Sequence, residues 1–286
     1  MASLNDSETR GGDMLFLKSV LDILILVLLI RLLIRPNEAF FHPVYRLIYR
    51  LTDPVLLPAR HVTRTAAQGV TLTVVALAVL RGALYIAIEG RTLASGLNTS
   101  LQELLGLLFQ GYMVLWVVAA LGGRGYGSFL VHLMARALVP VDAALRSMGI
   151  RRGGFVAGSF VLLWMAYAVA SLVFFSVLEV QEFPSPSLLA RALAHGLLLF
   201  IYLFPFPGFF SLVIIIGALL SWVSPDRSNP VVQAIYGISE PLLTPFRRIV
   251  PHLGGLDISP ILALVAFQVL GGIAQQLVAS ALRAVD

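Results

Sequence analysis

The chain has 286 residues, of which 58% are apolar and only 12% are charged, and its mean hydropathy is +0.91. Soluble domains contain about 45–50% apolar and about 25% charged residues. The composition therefore excludes a water-soluble enzyme, a secreted disulfide scaffold and a disordered linker, and it predicts an all-α integral membrane protein. Because the chain contains no cysteine, thiolate metal sites and thiol nucleophiles are excluded as well.

Six apolar runs are long enough to cross a bilayer, whose hydrocarbon core of about 30 Å requires roughly 20 helical residues. They follow a polar tail, residues 1–13, that we expect to be disordered. The predicted spans are Met14–Ile34, Ala66–Ile88, Leu104–Leu121, Gly154–Leu178, Pro207–Val223 and Pro260–Leu282. A further apolar stretch, Leu188–Phe204, is shorter, contains Arg191 and His195, and ends at a Pro–Phe–Pro–Gly break. We interpret it as an interfacial or re-entrant segment, with a seventh span as the alternative.

The arginines favour six spans. Of the 20 lysines and arginines, 14 lie in three segments that connect alternate spans: Arg31–Arg64, Arg124–Arg152 and Val223–His252. The loops on the other side are net acidic and include Glu103. Since positively charged loops remain in the cytoplasm, we predict that the three basic segments are cytoplasmic and that both termini are outside. With seven spans, the third basic segment would lie on the opposite side.

The basic segments are related in sequence. Shifted by 187 residues without a gap, HPVYRLIYRLTDPVLLPAR (His42–Arg60) aligns with NPVVQAIYGISEPLLTPFR (Asn229–Arg247). The matching positions are Pro43, Tyr49, Asp53, Pro54, Pro58 and Arg60 in the first segment and Pro230, Tyr236, Glu240, Pro241, Pro245 and Arg247 in the last. A shift of 101 aligns Pro140, Arg146, Gly153 and Gly154 of the middle segment with Pro241, Arg247, Gly254 and Gly255. This similarity predicts three copies of one unit, each a span, a basic amphipathic segment and a span, over residues 14–90, 91–182 (degenerate) and 183–286.

Each well-preserved copy predicts an amphipathic helix at the membrane surface. In the last copy, Asn229 can cap a helix whose first residue is Pro230. Apolar residues then recur at intervals of three and four: Val44, Ile48, Leu51 and Val55 in the first copy, and Val231, Ile235, Ile238 and Leu242 in the last. We expect the later prolines to end or kink each helix, and Arg247 and Arg248 to contact lipid phosphates. The predicted partner is thus anionic membrane lipid rather than nucleic acid, and docking on the protein's own spans is the alternative.

The last span is entered through the sequence GGLDISP, Gly254–Pro260. We interpret Gly254 and Gly255 as a turn, Ser259 as a helix cap and Pro260 as the first helical residue. A role for Asp257 as a proton or ion ligand is the alternative.

Ionisable groups inside a bilayer indicate function, and Asp22 and Arg81 are the two candidates. Both lie about 12 Å from the outer ends of their spans, so we predict an ion pair between neighbouring helices. The shift of 187 places Gln268 at the position of Arg81. The alternative is that Lys18 pairs with Asp22 while Arg81 extends outward.

Catalytic patterns are missing from the sequence: it has no nucleophile elbow, phosphate-binding glycine loop or HExxH motif. We therefore expect neither an enzyme nor a bound cofactor or metal. Four histidines on the predicted cytoplasmic side offer metal or haem ligation as an alternative to headgroup contact or capping: His42, His61, His132 and His252.

The stretch SWVSPDRSNPVVQAIYGISEPLLTPFRRIVPHLGGLDISP (Ser221–Pro260) resembles the signature of the YggT family, also called YlmG. The first copy matches its proline–tyrosine–acid–proline core, and the middle copy only faintly. The resemblance implies a multi-pass protein of the bacterial inner (cytoplasmic) membrane without known catalytic residues. Members are linked to cytochrome assembly, nucleoid distribution, cell division or shape, and osmotic or ion tolerance.

Two functional hypotheses follow. In the first, the protein is a non-enzymatic scaffold or assembly factor whose basic amphipathic segments bind anionic lipid, together with other membrane proteins or as a homo-oligomer. In the second, it is a small ion or osmolyte channel or transporter with a polar path at Asp22, Arg81 and Gln268.

Overall fold

The computed structural model describes residues 2–34, 43–89, 92–121, 128–150, 155–179, 186–223, 226, 228–249 and 257–284. Within these ranges all regular secondary structure is helical, as predicted. The helices are α1 (Ala2–Leu33), α2 (Pro43–Arg60), α3 (Ala66–Glu89), α4 (Leu93–Leu121), α5 (Ser128–Ser147), α6 (Phe155–Glu179), α7 (Pro186–Ile201), α8 (Phe209–Val223), α9 (Pro230–Arg247) and α10 (Ser259–Arg283).

Four of these helices, α3, α4, α6 and α10, are long and apolar enough to cross a membrane. The apolar part of α1 carries Lys18, Asp22 and Arg31. The helices α7 and α8 are apolar but have only 16 and 15 residues, which corresponds to about 24 and 22 Å. They are separated by a turn at the predicted Pro–Phe–Pro–Gly break. The helices are those of a membrane protein, and the count of six spans stays a prediction.

Two helices begin earlier than the sequence predicts. The helix α1 starts at Ala2, twelve residues before the predicted span and within the tail for which disorder is expected. The helix α4 starts at Leu93, eleven residues before the predicted span. Thr92 precedes it, and the Oγ1 atom of Thr92 accepts a hydrogen bond from the Ser95 N–H at 3.3 Å. Extending a helix costs far less free energy than nucleating one. A helix that forms in an apolar segment can therefore extend into the polar residues next to it. Glu103 therefore lies on α4 and not in a loop.

The two helices that the sequence predicts to be amphipathic continue through their prolines. Both α2 and α9 have 18 residues, their bounds differ by 187 at each end, and Pro54, Pro58, Pro241 and Pro245 lie inside them. Of the two effects expected of these prolines, an end to the helix is therefore wrong, and a kink stays a prediction. Pro54, Pro58 and Pro245 are exposed, so the carbonyl groups left without an N–H partner lie on the side where other donors can reach them.

The chain divides into two compact units. The first contains α1, α2 and α3 around a core of Ile25, Leu28, Leu56, Val70 and Val74. In the second unit, α8, α9 and α10 contact one another and α7 lies against α10. A separate cluster in that unit joins α5 to the beginning of α6.

Candidate functional site

The helix α2 docks on its own unit through one face. Tyr45, Thr52, Leu56 and Ala59 are buried there, and α2 contacts α1 and α3. This stripe differs from the predicted apolar one, in which Leu51 is exposed. The positions 187 residues later include Val232, Ser239 and Leu243, which are buried in α9. This face of α2 thus docks on other helices of the protein, which is the alternative to lipid contact in the sequence analysis.

The opposite face of α2 is both apolar and basic. Leu47, Leu51 and Leu57 are each more than half exposed, and Arg46 and Arg50 are exposed beside them. Large apolar side chains next to guanidinium groups are typical of a helix lying among lipid headgroups. We call these five residues the outer face of α2.

Arg31 fixes the rotation of α2. This arginine, at the end of α1, is buried, and its Nη1 donates to Thr52 Oγ1 at 2.5 Å. Its Nη2 lies 2.9 Å from Asp53 Oδ1, and its guanidinium stands 4.0 Å from the centre of the Tyr49 ring. Tyr49 in turn donates to the Ile34 carbonyl at 3.3 Å. Sequence reasoning counted Arg31 only as a positive charge, because nothing along the chain indicates these partners.

An acid and an arginine seven residues apart bridge the two later prolines in both helices. Arg60 Nη2 binds Asp53 Oδ1 at 2.5 Å in α2, and Arg247 binds Glu240 in α9. Residues seven apart lie two turns apart on one face of a helix. The motif residues of the sequence alignment therefore form a clasp over the helical turns that the prolines weaken.

The clasp of α9 also reaches the entry of α10. Arg247 Nε donates to Asp257 Oδ2 at 2.8 Å, and the Ser259 N–H donates to Asp257 Oδ1 at 2.9 Å. The hydrogen bond to Glu240 raises the pKa of Arg247 against the effect of burial, and Asp257 adds to this rise. Burial alone would raise the pKa of Asp257, but its hydrogen bonds from Arg247 and Ser259 hold it below the ordinary value of 3.8. Asp257 is thus a charged partner of Arg247.

The remaining motif residues have the following places. Asn229 caps α9 by accepting from the Val231 N–H, with Pro230 in the first turn, as predicted. The helix α10 has Ile258 at its cap position without a side-chain cap, so the assignment of Ser259 as the cap is wrong. Ser259 and Pro260 are buried instead, and Asp257 accepts a hydrogen bond from the Ser259 N–H. Pro43 and Arg248 are exposed and Tyr236 is half-buried, whereas Gly254 and Gly255 lie outside the described residues.

A second polar cluster lies inside the first unit. Arg81 of α3 is completely buried and forms an ion pair with Asp22 of α1. Its Nε donates to Ser100 Oγ at 3.1 Å and its Nη2 to the Ser100 carbonyl. The predicted pair between Asp22 and Arg81 is confirmed, and Ser100 is a partner that sequence reasoning missed.

Glu103 completes this cluster. Its carboxylate lies 2.9 Å from Lys18 Nζ and 3.4 Å from Arg81 Nε, and it accepts a hydrogen bond from the Tyr85 hydroxyl. The alternative pairing of Lys18 with Asp22 is thus replaced by a bridge to Glu103. Two cations and two carboxylates balance each other in the cluster. Gln268 belongs to the second unit, where its side chain on α10 is exposed.

Of the four histidines proposed as metal or haem ligands, His61 is the one whose side chain the structure describes. His61 is exposed in the turn after α2; His42 and His252 lie outside the described residues, as does the His132 side chain. In the part of the chain that the structure describes, no group of three or more His, Asp or Glu could hold a metal ion.

Comparison with known proteins identifies relatives. The family model described as CCB3/YggT matches residues 14–89 and 196–278. An uncharacterised protein of Pseudomonas aeruginosa is 32% identical over 178 residues, which are 61% of this chain and 88% of the relative. YggT of Escherichia coli K12, also uncharacterised, is 41% identical over 69 residues (24% and 36%), and the chloroplastic YlmG homolog protein 2 of Arabidopsis thaliana is 31% identical over 80 (28% and 29%). No solved structure matches the chain.

Proposed function

Because the chain belongs to the CCB3/YggT family, we propose that it is a non-enzymatic scaffold of the bacterial inner membrane, which organises anionic lipid and partner proteins through its basic amphipathic helices. In this proposal the three basic segments are cytoplasmic and the chain crosses the membrane six times in three related units. The family match and the apolar helices support membrane residence. The contacts of α2 support the mode of action.

The outer face of α2 is the observation that carries the proposal. Its inner face is held by Tyr45, Thr52, Leu56 and Ala59, and Arg31 binds side chains on α2 from the end of α1. The helix therefore cannot roll to bury Leu47, Leu51 or Leu57 against its own unit. An exposed apolar strip of this kind is stable beside hydrocarbon, and the neighbouring arginines match lipid phosphates in charge.

Lipid contact can be measured with a spin label, since the chain has no cysteine. A nitroxide on Leu51→Cys, in nanodiscs containing phosphatidylglycerol, is expected to be more accessible to oxygen than to a water-soluble nickel complex. Ser228→Cys, exposed in the turn before α9, provides the aqueous control. Arg50→Gln should reduce the immersion gained on replacing phosphatidylcholine by phosphatidylglycerol. A Leu51 label as accessible to nickel as the Ser228 label, in both lipids, would contradict the proposal.

The scaffold role itself requires a partner. Crosslinking in native membranes followed by extraction in mild detergent should recover a membrane protein at a fixed stoichiometry. Its recovery should fall when the outer face of α2 is altered by Leu47→Ser and Leu57→Ser. If recovery of the partner is unchanged by these two substitutions, the outer face of α2 does not bind it.

Transport is the second candidate, and the cluster around Arg81 is the observation in its favour. Asp22, Glu103 and Lys18 are partly exposed around a fully buried guanidinium. The balance of two cations and two anions, each within reach of an opposite charge, favours a structural clamp over an ion path. Ion flux in proteoliposomes that Asp22→Asn abolishes would decide for transport. Absence of flux from the folded protein, together with a partner recovered at a fixed stoichiometry, would decide for the scaffold.

A further inference from the structure

Aligned positions of two helices differ in burial: they are buried in α3 and mostly exposed in α10. The shift of 187 residues aligns Ala78, Arg81, Gly82 and Tyr85 of α3 with Val265, Gln268, Val269 and Gly272 of α10. The four residues of α3 are all buried. They lie at spacings of three, one and three, so they form one face of the helix.

The helix α4 covers this face of α3. Ser100 Oγ donates to the Ala78 carbonyl at 2.5 Å and accepts from Arg81. Glu103 accepts from Tyr85, and a Cβ atom on Gly82 would lie 3.2 Å from the Gly96 carbonyl oxygen. A polar side chain at the centre of the face and a small residue beside it thus allow a second helix to approach closely and to hydrogen-bond.

The corresponding face of α10 is open. Val265 and Val269 are each 54% exposed, against 1% for Ala78 in α3. Gln268 is exposed, and a Cβ atom on Gly272 would meet nothing within 4 Å. The neighbours of α10 within its unit lie on its other side, where Phe267 contacts Phe204 and Phe246.

The Gln268 amide on this open face is unfavourable in a bilayer. Gln268 is the tenth residue of a 25-residue apolar helix, about 14 Å from its start and so within the hydrocarbon. An amide group without a hydrogen-bond partner there is costly, and polar side chains in spans hydrogen-bond across helix interfaces. A partner helix that supplies both a donor and an acceptor at this depth would satisfy it.

We propose that the face formed by Val265, Gln268, Val269 and Gly272, here named the α10 face, binds the same face of a second copy of this chain. Two copies related by a twofold axis along the membrane normal place each residue at the depth of its counterpart. The Gln268 amide carries donors and an acceptor, so it is complementary to itself. Gly272, one turn further along, leaves room for the two backbones to approach.

Single cysteines test the contact without a background. Val269→Cys and Gly272→Cys should form disulfide-linked dimers when native membranes are oxidised. Leu270→Cys and Leu277→Cys are the matched controls, because each leucine is 64% exposed on α10 but lies more than 100° around the helix from Val265. We expect at least fivefold more dimer from the face positions. Equal crosslinking at all four positions, or crosslinking of the face positions mainly to a different protein, would overturn the proposal.

The amide is tested separately from packing. Gln268→Leu should weaken dimerisation about tenfold, the range expected for an interhelical hydrogen bond in a bilayer, whereas Gln268→Asn should retain most of it. Single-molecule photobleaching in vesicles at decreasing protein density gives the fraction of dimer. A wild-type chain that bleaches in one step at all densities would overturn the proposal. The immersion of the Leu51 label is expected to be the same in all three proteins, which distinguishes this contact from lipid binding by α2.

Discussion

At the scale of single residues, the guanidinium of Arg81 meets a polar partner at each of its three nitrogens. Nε and Nη2 donate to Ser100, and Nη1 donates to Asp22. A buried charge is tolerated only when it is paired and hydrogen-bonded. The arginine therefore connects α1, α3 and α4, and its removal would leave Asp22 without its cation.

This pairing predicts a non-additive double mutant. Arg81→Ala should lower the free energy of unfolding by roughly 3 kcal/mol, at the lower end for a buried pair because Asp22 is partly exposed. The same change in an Asp22→Asn background should cost markedly less, since the uncompensated carboxylate is already removed. Reversible unfolding in mixed micelles, followed by circular dichroism, measures all four proteins. Equal losses in the two backgrounds would refute the coupling.

Close approach of α3 and α4 predicts a second effect at this scale. A Cβ atom on Gly96 would lie 2.7 Å from the Gly82 carbonyl oxygen, so Gly96→Ala must push the helices apart and should cost about 1–3 kcal/mol. Gly111→Ala is the control, because a Cβ there meets nothing within 4 Å. It should be neutral or stabilising by up to about 1 kcal/mol through helix propensity. Thermal unfolding of both variants checks this, and equal melting temperatures would contradict it.

Only part of the cluster around Arg81 could be predicted from the sequence. The Asp22–Arg81 pair followed from two charges at one depth in adjacent spans. The bridge from Lys18 to Glu103 did not, since Glu103 lies among polar residues that composition assigns to a loop. Only the full extent of α4 places this carboxylate beside α3.

At the scale of elements, periodicity predicted α2 and α9 as amphipathic helices but not which stripe is buried. The predicted stripe of α2 recurs at intervals of four, three and four residues, and the buried one at intervals of seven, four and three. The buried stripe includes Thr52, which hydropathy does not mark as internal. Its burial depends on the hydrogen bond from Arg31, a residue 21 positions away. Side-chain partners that are distant in sequence thus decide the rotation of the helix.

The junction of α9 with α10 predicts a pH dependence. The folded state holds the pKa of Asp257 below its ordinary value of 3.8, so the ionised form contributes stability that is complete above that value. This contribution is lost as the pH falls through the folded pKa. The melting temperature of the wild type should therefore exceed that of Asp257→Asn at pH 7, and the gap should close below about pH 4. A gap that stays constant from pH 7 to pH 3 would show that the carboxylate charge is not responsible.

At the scale of the whole molecule, composition predicted the class of protein and the motif predicted the family. The number of spans did not follow from either, because α7 and α8 are each shorter than about 20 residues and are joined by a tight turn. Together they can cross the membrane once, or each can cross it separately. Because the hydropathy of α7 and α8 is the same in the two cases, the side of the membrane on which α9 lies must be predicted from the charge of the basic segments.

Sidedness can be measured at three exposed positions, one in each of three connections: Val62 before α3, Thr92 before α4 and Ser228 before α9. A cysteine at each is the only one in its protein, so labelling with a membrane-impermeant maleimide reports one site. If α7 and α8 form one crossing, Val62→Cys and Ser228→Cys react from the cytoplasmic face, in inverted vesicles, and Thr92→Cys reacts only in right-side-out vesicles. Separate crossings would place Ser228 on the side of Thr92 and would move Arg247 and Arg248 away from the anionic cytoplasmic leaflet. Labelling of Ser228→Cys from the outside would therefore contradict both the six-span topology and the lipid contact proposed for α9.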